Sequence, residues 1–433
     1  MRAGSATQHE RLMRLHRRNA DKSTSLGVTG VRFEGVGDGS TIQIEGKDVA
    51  NFGNCSYLGL AVDERLKKGA IEAVERFGPL YSSSQVYAAV DLYPELERLL
   101  AQITGAPAVV LPPTTTLGHL ACLPVVVGPE DAVVLDSHSH ASLQLTMQVL
   151  AGRGIQVQPV PHNDMGALEG AIARFSPHHP RIWYVADGVY SMFGDLAPLD
   201  TIRDLMDRYQ NLYAYFDDAH GFSWLGVHGR GYVLSRMPLD ERMIVAAGLA
   251  KSFGSGGAAL FFGDADLATN VRHLGGPMTF SGPIHPPTLG AAVAAARIHL
   301  SEEHQVLRRR ILDQIGLVAR LLAEHRLPAM SWAETPIWLV KVGDLDRMLE
   351  LVRRMLDDGY FLNASGFPAV PMGMAGLRFT HTLCNPTSQI EAMIERLAYH
   401  YRQVVGEPQT VIDLEEMQRA VEVSEAPREP SRP

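Results

Sequence analysis

Seven short apolar runs, separated by stretches of helical periodicity, constrain this chain more than any other feature. They read "PAVVLP", "DAVVLDS", "IQVQPVP", "RIWYVADG", "LYAYFDD", "MIVAAG" and "AALFFG", in that order, between residues 107 and 263. A strand buried on both faces carries a continuous apolar run, and strands joined through helices lie parallel, because a parallel crossover needs a long connection. The pattern predicts an α/β protein with a mainly parallel central sheet covered by helices. In such sheets ligands bind outside the carboxyl ends of the strands, so the residues that close each run are the first candidates for chemistry.

The flanks carry other patterns. "VRFEGVGDGSTIQIEGKDVANFG" alternates apolar and polar residues around Gly/Asp turns and predicts a short antiparallel hairpin. Ahead of it, the Arg-rich "MRAGSATQHERLMRLHRRNADKS" lacks the apolar centre of a secretory signal and contains Glu10 and Asp21. It reads as an amphipathic arm lying on the body. "DERLKKGAIEAVERFG" has helical spacing behind an acidic first turn, and "SEEHQVLRRRILDQIGLVARLLAEHRL" reads as a long amphipathic helix. Weaker strand signals follow, "IWLVKVG" and "GLRFTHT", alternating with helices. The expected organisation is an arm and hairpin over 1–60, a large domain over 61–295, a smaller C-terminal α/β domain over 296–405, and a polar, proline-rich tail over 406–433 that is expected to be disordered.

Composition narrows the function. A net charge of -9 does not supply the clustered cations that phosphate backbones need, so nucleic acid is not an expected partner. No apolar run reaches membrane-spanning length. Cysteine is limited to Cys55, Cys122 and Cys384, with no CxxC pair, which argues against a disulfide framework or a cysteine-rich zinc site and fits a reducing cytoplasm.

Only six lysines occur, and five have plain explanations. Lys22 lies in the polar arm, Lys47 in a hairpin turn, Lys67 and Lys68 on an amphipathic helix, and Lys341 near a strand end. Lys251 differs: "AAGLAKSFGSGGAALFF" puts it in a glycine-rich loop between two apolar runs. A half-buried lysine is costly unless neutralised, paired or covalently modified, and an imine with an aldehyde cofactor removes that cost. Gly254, Gly256 and Gly257 are expected to let the backbone approach a ligand, and a glycine-rich turn with a surface lysine is the alternative.

Other runs close on polar residues. "LYAYFDDAHGFSWLGVHGRG" ends on Asp217, Asp218 and His220, where a buried carboxylate can keep a pyridine nitrogen protonated. A solvated Asp pair opening a loop is the alternative. "VLDSHSHASL" brings Asp136, His138 and His140 to a strand end; two histidines suggest a metal, but no third ligand is evident, and an imidazole stacked on an aromatic cofactor also fits. "VVLPPTTTLGHL" places Thr114, Thr115 and Thr116 at a helix start, an arrangement suited to an anion, to capping or to both.

Taken together, "FDDAHGFSWLGVHGRG", "DSHSHASL", "DGVYSMFGDLAPL", "YLGL" and the Lys251 loop resemble, in order and spacing, the α-oxoamine synthases, fold-type-I pyridoxal-phosphate enzymes, over about residues 30 to 403. The resemblance implies that Lys251 forms the Schiff base with the cofactor and later moves protons, and that Asp217 pairs with the pyridine nitrogen. It implies that His220 bonds the phenolic oxygen with Ser191 near it, that His140 stacks on the ring, and that Thr115 and Thr116 hold the phosphate. Arg378, in "VPMGMAGLRFT", matches the arginine that grips the amino acid's carboxylate. Family members are homodimers with the site at the subunit interface.

This chain also departs from the family. Gly248 stands three residues before the lysine in place of Ser or Thr, Tyr93 replaces a histidine, and Ser56 replaces an asparagine before "YLGL", at a substrate-facing position. Pro283 and Ile284 replace the Thr/Ser pair that reaches the partner's phosphate, leaving Ser281 as the nearest hydroxyl, and Gly366 and Gly376 stand where some members carry arginines. The implied reaction is a decarboxylative condensation. The amino acid displaces Lys251, the freed lysine removes the α-proton, the carbanion attacks an acyl thioester on coenzyme A or a carrier protein, and loss of CO2 leaves an α-aminoketone. Three other readings use the same residues differently: an aminotransferase, an aldol-type enzyme acting on a β-hydroxy amino acid, and a non-catalytic protein that keeps the fold.

Overall fold

The structure is a computed structural model that describes residues 8–367 and 369–407, so most of the tail expected over 406–433 lies outside the described residues. The chain forms two compact units, residues 55–312 and residues up to 54 together with those from 313.

In the first unit each of the seven apolar runs is a strand: β1 (Ala108–Val110), β2 (Ala132–Asp136), β3 (Gln156–Val160), β4 (Ile182–Asp187), β5 (Leu212–Asp217), β6 (Met243–Gly248) and β7 (Ala258–Phe262). They form one sheet in the order β1-β7-β6-β5-β4-β2-β3. The links of β2 with β3 and β4, β4 with β5, and β5 with β6 are parallel. Strand β7 alone runs antiparallel, to both β6 and β1. Every residue of β2, β4, β6 and β7 is buried, and so is every residue of β5 but the half-buried Tyr213, as expected of strands covered on both faces. Strand β3 is the more exposed edge, and there Pro159 is tolerated because no further strand needs its missing N–H.

The helices begin where short polar side chains can cap them. Asp63, Thr114, Asp164 and Asp264 each accept from a backbone N–H in the first turn of the helices Glu64–Phe77, Thr115–Val126, Met165–Phe175 and Ala265–Leu274. Helices Glu64–Phe77 and Pro286–His299 cross through Gly69 and Gly290, where a Cβ on Gly69 would stand 2.6 Å from the Gly290 carbonyl oxygen.

In the second unit the predicted hairpin is the pair Thr41–Ile44 and Lys47–Asn51, joined by Glu45 (φ 51°) and Gly46 (φ 71°), as a two-residue turn with two positive φ values requires. It gains two short strands that sequence reading missed, Gly35–Val36 and the parallel Tyr360–Phe361. The arm contains a helix, Gln8–Ser25, tied to the body by Lys22 with Asp346 and by His16 edge-on to Phe367. "IWLVKVG" and "GLRFTHT" supply the antiparallel strands Ile337–Gly343 and Ala375–Thr380, with Asn363–Ser365 on the latter's other side.

Two histidines are buried deeply enough to matter for stability. Burial holds His381 neutral down to about 3, and burial followed by the neighbouring His304 does the same for His299. An unfolded histidine takes up a proton near 6.5, so the folded chain loses stability as pH falls from there toward 3 and loses none above it. Thermal midpoints measured from pH 7.5 to 4 should therefore drop below pH 6.5, and His381→Phe should flatten the curve. A midpoint independent of pH over that range would contradict this.

Candidate active site

Parallel pairing puts Asp187 directly beside Asp217, and Asp217 beside Ala246, so the carboxyl ends of β4, β5 and β6 form one polar ledge. Lys251 stands three residues beyond the end of β6, half-buried.

Asp217 is 5% exposed. Burial alone would raise its carboxyl, but the bond from His119 and then the charges of His119, Lys251 and His140 hold it well below the usual range. His119 Nε2 lies 3.0 Å from Asp217 Oδ2, the His119 Nδ1 meets Tyr215 Oη at 2.8 Å, and the Ala219 N–H donates to Asp217 Oδ1 at 3.0 Å. The result is a fixed, ionised carboxylate in a dry setting. Its neighbour Asp187 goes the other way: burial first, then the Asp217 charge, push it well above the carboxylate range, although the His140 N–H donates to it at 3.0 Å.

Asp218 overturns the reading of "DD" as a solvated pair. It is 1% exposed and raised by burial, and it accepts from the Val233 N–H at 3.0 Å. Gly188, Gly221 and Gly231 leave no room for a Cβ against its carboxyl group.

His220 follows two residues on. Its Nδ1 meets Tyr57 Oη at 2.7 Å, and its carbonyl accepts from Trp224 Nε1 at 2.7 Å, which sets the orientation of the ring. His140 is an exposed N-cap of helix Ala141–Gly152, with Nδ1 2.7 Å from Ser142 Oγ. Asp136 and His138 do other work: Asp136 bonds His162 Nδ1 at 3.0 Å, His162 Nε2 bonds Asp195 at 2.6 Å, and the His138 ring stacks on His162 at 4.1 Å.

Helix Thr115–Val126 starts beside β6, since a Cβ on Gly248 would lie 3.3 Å from Thr115 Oγ1. Thr114 caps the Leu117 N–H at 3.1 Å, and the first helical N–H groups, those of Thr115 and Thr116, have no partner within the helix. Capping by Thr114 therefore leaves these two N–H groups available to an anion.

The glycines of the Lys251 loop need a corrected explanation. Gly254 (φ 79°) lies against the backbone of Leu60, with a Cβ 2.7 Å from its carbonyl carbon, and Gly257 (φ 84°) lies against Ile284 Cδ1 at 2.6 Å. They serve protein packing and left-handed backbone rather than approach to a ligand. Tyr93 and Ile284, two of the departures noted above, bind each other: the Ile284 N–H donates to Tyr93 Oη at 2.8 Å. Ser56 Oγ accepts from the Ala61 N–H at 3.3 Å, Ser281 Oγ donates to the Pro277 carbonyl at 2.6 Å, and Ser191 is half-buried on the loop after β4. Arg378 is buried on strand Ala375–Thr380 of the second unit.

Sequence reading missed His119, Tyr57 and Asp187. His119 was recoverable, because it lies one helical turn after Thr115 and so shares its face. Tyr57 and Asp187 had no spacing signal apart from their places as the first residue of "YLGL" and the last residue of a strand.

The sequence model described as Aminotransferase class I and II matches residues 47–397. An 8-amino-7-oxononanoate synthase of Dechloromonas aromatica is 32% identical over 361 residues, covering 83% of this chain and 92% of that protein. One of Geobacter sulfurreducens is 33% identical, with 83% and 90% covered. A serine palmitoyltransferase of Sphingobacterium spiritivorum is 27% identical over 84% of this chain and 89% of its own. In fold, the chain matches a serine palmitoyltransferase structure from S. paucimobilis with a TM-score of 0.84 at 23% identity, covering 92% of this chain and 99% of that one. The chain belongs to the aminotransferase class I and II family and, within it, to the α-oxoamine synthases.

Pyridoxal phosphate fits the residues present. A buried ionised carboxylate suits a protonated pyridine nitrogen, a helix start with two threonines suits a phosphate, and a half-buried lysine at an adjacent strand end suits an aldehyde. The buried Ser252 Oγ beside Lys251 also lacks a protein partner.

Proposed function

We propose that this chain catalyses the pyridoxal-phosphate-dependent condensation of an amino acid with an acyl thioester, with loss of CO2 and thiol, giving an α-aminoketone. The observation that carries it is Asp217, buried and ionised between His119 and the charges of Lys251 and His140, in a chain related to two kinds of oxoamine synthase.

The bound cofactor supplies an aldehyde for amines and a ring that accepts an electron pair. The residues of this chain do the rest. Asp217 keeps the pyridine proton in place, and His119, bonded to Tyr215, keeps Asp217 ionised and oriented. Lys251 Nζ exchanges with the incoming amine and then takes the α-proton. His140, whose exposed ring is held by Ser142 and whose backbone N–H donates to Asp187, lies against the cofactor face. His220 and Ser191 bond the phenolic oxygen, and the N–H and hydroxyl groups of Thr115 and Thr116 hold the phosphate.

Arg378 grips the substrate carboxylate through its two-pronged guanidinium, and Ser56 faces the substrate. Arg378→Lys should raise KM for the amino acid by about 10- to 100-fold, the cost of a lost charge-assisted bond, and leave KM for the thioester nearly unchanged. An equal rise in both constants would assign Arg378 to something other than the carboxylate.

The protein works as a homodimer. Leu80, Tyr81, Tyr87, Leu274 and Phe280 are exposed on the segments that the bond from Ser84 to the Met278 carbonyl ties together. Such apolar surface on a soluble chain marks an interface. Sedimentation should give a dimer, and the pair Leu274→Asp and Phe280→Asp should give a monomer; a monomeric wild type would refute this. None of the described helices is long and apolar enough to cross a membrane. Cys55, Cys122 and Cys384 form no disulfide, as fits a reducing cytoplasm.

The function is tested by following thiol release from a panel of acyl-coenzyme A and acyl-carrier thioesters with each amino acid in turn. Release that requires one amino acid supports the proposal and identifies the pair. Conversion of amino acids to oxo acids without thiol release would make the protein an aminotransferase.

A further inference from the structure

Five described residues other than glycine adopt a positive φ: Glu45, Asn163, Ser223, His228 and Arg326. Two of them, Ser223 (φ 85°) and His228 (φ 56°), lie in the loop that follows His220, and both bind the same buried histidine. Ser223 Oγ is 2.8 Å from His299 Nε2, and His228 Nδ1 donates to the His299 carbonyl at 2.9 Å. Ser223 and His299 are both fully buried.

The hydrogen-bond directions are set by chemistry. His299 Nδ1 lies 2.8 Å from the Ala295 carbonyl, an acceptor only, so Nδ1 carries the proton and Nε2 accepts from the Ser223 hydroxyl. The Ser223 carbonyl accepts from His304 Nε2 at 2.7 Å, and its N–H donates to the Gly229 carbonyl at 2.8 Å. Every polar group of Ser223 is thus engaged. A left-handed backbone on a residue with a Cβ costs free energy and persists only where its surroundings determine it, and such residues gather at functional sites.

The same imidazole faces the Lys251 loop. Its centroid is 4.7 Å from that of Phe253, two residues beyond the lysine, and Phe253 packs on Phe222, the neighbour of Ser223, at 5.6 Å. On the far side the loop returns to His220, whose carbonyl accepts from Trp224.

We propose that Ser223 and His299 are positioning residues: the Ser223 hydroxyl, held by His299, locks the left-handed turn after His220, and the His299 ring sets Phe253, so that the segments carrying His220 and Lys251 keep one mutual arrangement. This rests on the reading of His220 and Lys251 as cofactor contacts. Neither positioning residue touches the reacting atoms.

The test compares two small substitutions in the holoenzyme. Ser223→Ala keeps the Cβ on the left-handed backbone but removes the hydroxyl that holds it. Ser223→Gly removes the hydroxyl as well but needs nothing to hold that backbone. Ser223→Ala should weaken pyridoxal-phosphate affinity, measured by titrating the apoprotein, by about tenfold and move the pH midpoint of the bound cofactor's visible band, whereas Ser223→Gly should stay within about twofold and keep the midpoint. His299→Leu should behave like Ser223→Ala, and adding Ser223→Gly to it should restore affinity and midpoint. Equal behaviour of the alanine and glycine variants, or thermal destabilisation with affinity and midpoint unchanged, overturns the proposal. A wild-type protein that binds no pyridoxal phosphate overturns the underlying reading instead.

Discussion

Lys251→Ala is expected to bind pyridoxal phosphate without covalent attachment and to lose at least about 10³-fold in kcat, because the side chain that exchanges with the amine is also the one that moves the α-proton. Borohydride should trap the cofactor on the wild-type chain and not on the variant. Lys251 is the only one of the six lysines in a glycine-rich loop between two buried strands, with its charge felt by the buried Asp217. Retention of activity within about tenfold of wild type would remove Lys251 from the chemistry and every catalytic reading with it.

Asp217→Asn is the second large effect. The amide has the shape of the carboxylate but no charge, so it cannot hold a pyridine nitrogen protonated, and His119 Nε2 loses its charged partner at 3.0 Å. If the lost charge interaction is worth in the reaction what a broken buried pair is worth in stability, about 3–5 kcal/mol, the loss corresponds to about 10²- to nearly 10⁴-fold in rate. Asp218→Asn is the control, because burial among its three glycine neighbours disfavours the charged form of Asp218 and so makes its charge the less important of the two. The expected results are a large fall in kcat for Asp217→Asn and a change of less than about tenfold for Asp218→Asn. Equal losses in the two variants would mean that the charge on Asp217 is not what matters.

These two adjacent aspartates show where the sequence was informative and where it was not. The seven strands could be read directly, the inner ones because burial on both faces forces continuous apolar runs, and that signal is local. The strand ends located Asp217 and Lys251 for the same reason. The strand pattern alone could not separate Asp217 from Asp218, which only the family resemblance did, since the physical difference is made by His119 on one side and by Gly188, Gly221 and Gly231 on the other, all brought in by tertiary packing. The loop glycines were recognised, but their purpose was misread, because the groups they approach, Leu60 and Ile284, are far away in the chain. The short strands Gly35–Val36 and Tyr360–Phe361 had too few residues to show a period.

The central claim is a condensation in which carbon–carbon bond formation, thioester cleavage and decarboxylation are coupled on one site. The most direct test incubates the holoenzyme with a carboxyl-labelled amino acid and its acyl thioester, and counts labelled CO2 and free thiol together. The account predicts equal amounts of each, both dependent on the two substrates being present and both lost in Lys251→Ala. Labelled CO2 without thiol, or an oxo acid that keeps its label, would contradict it.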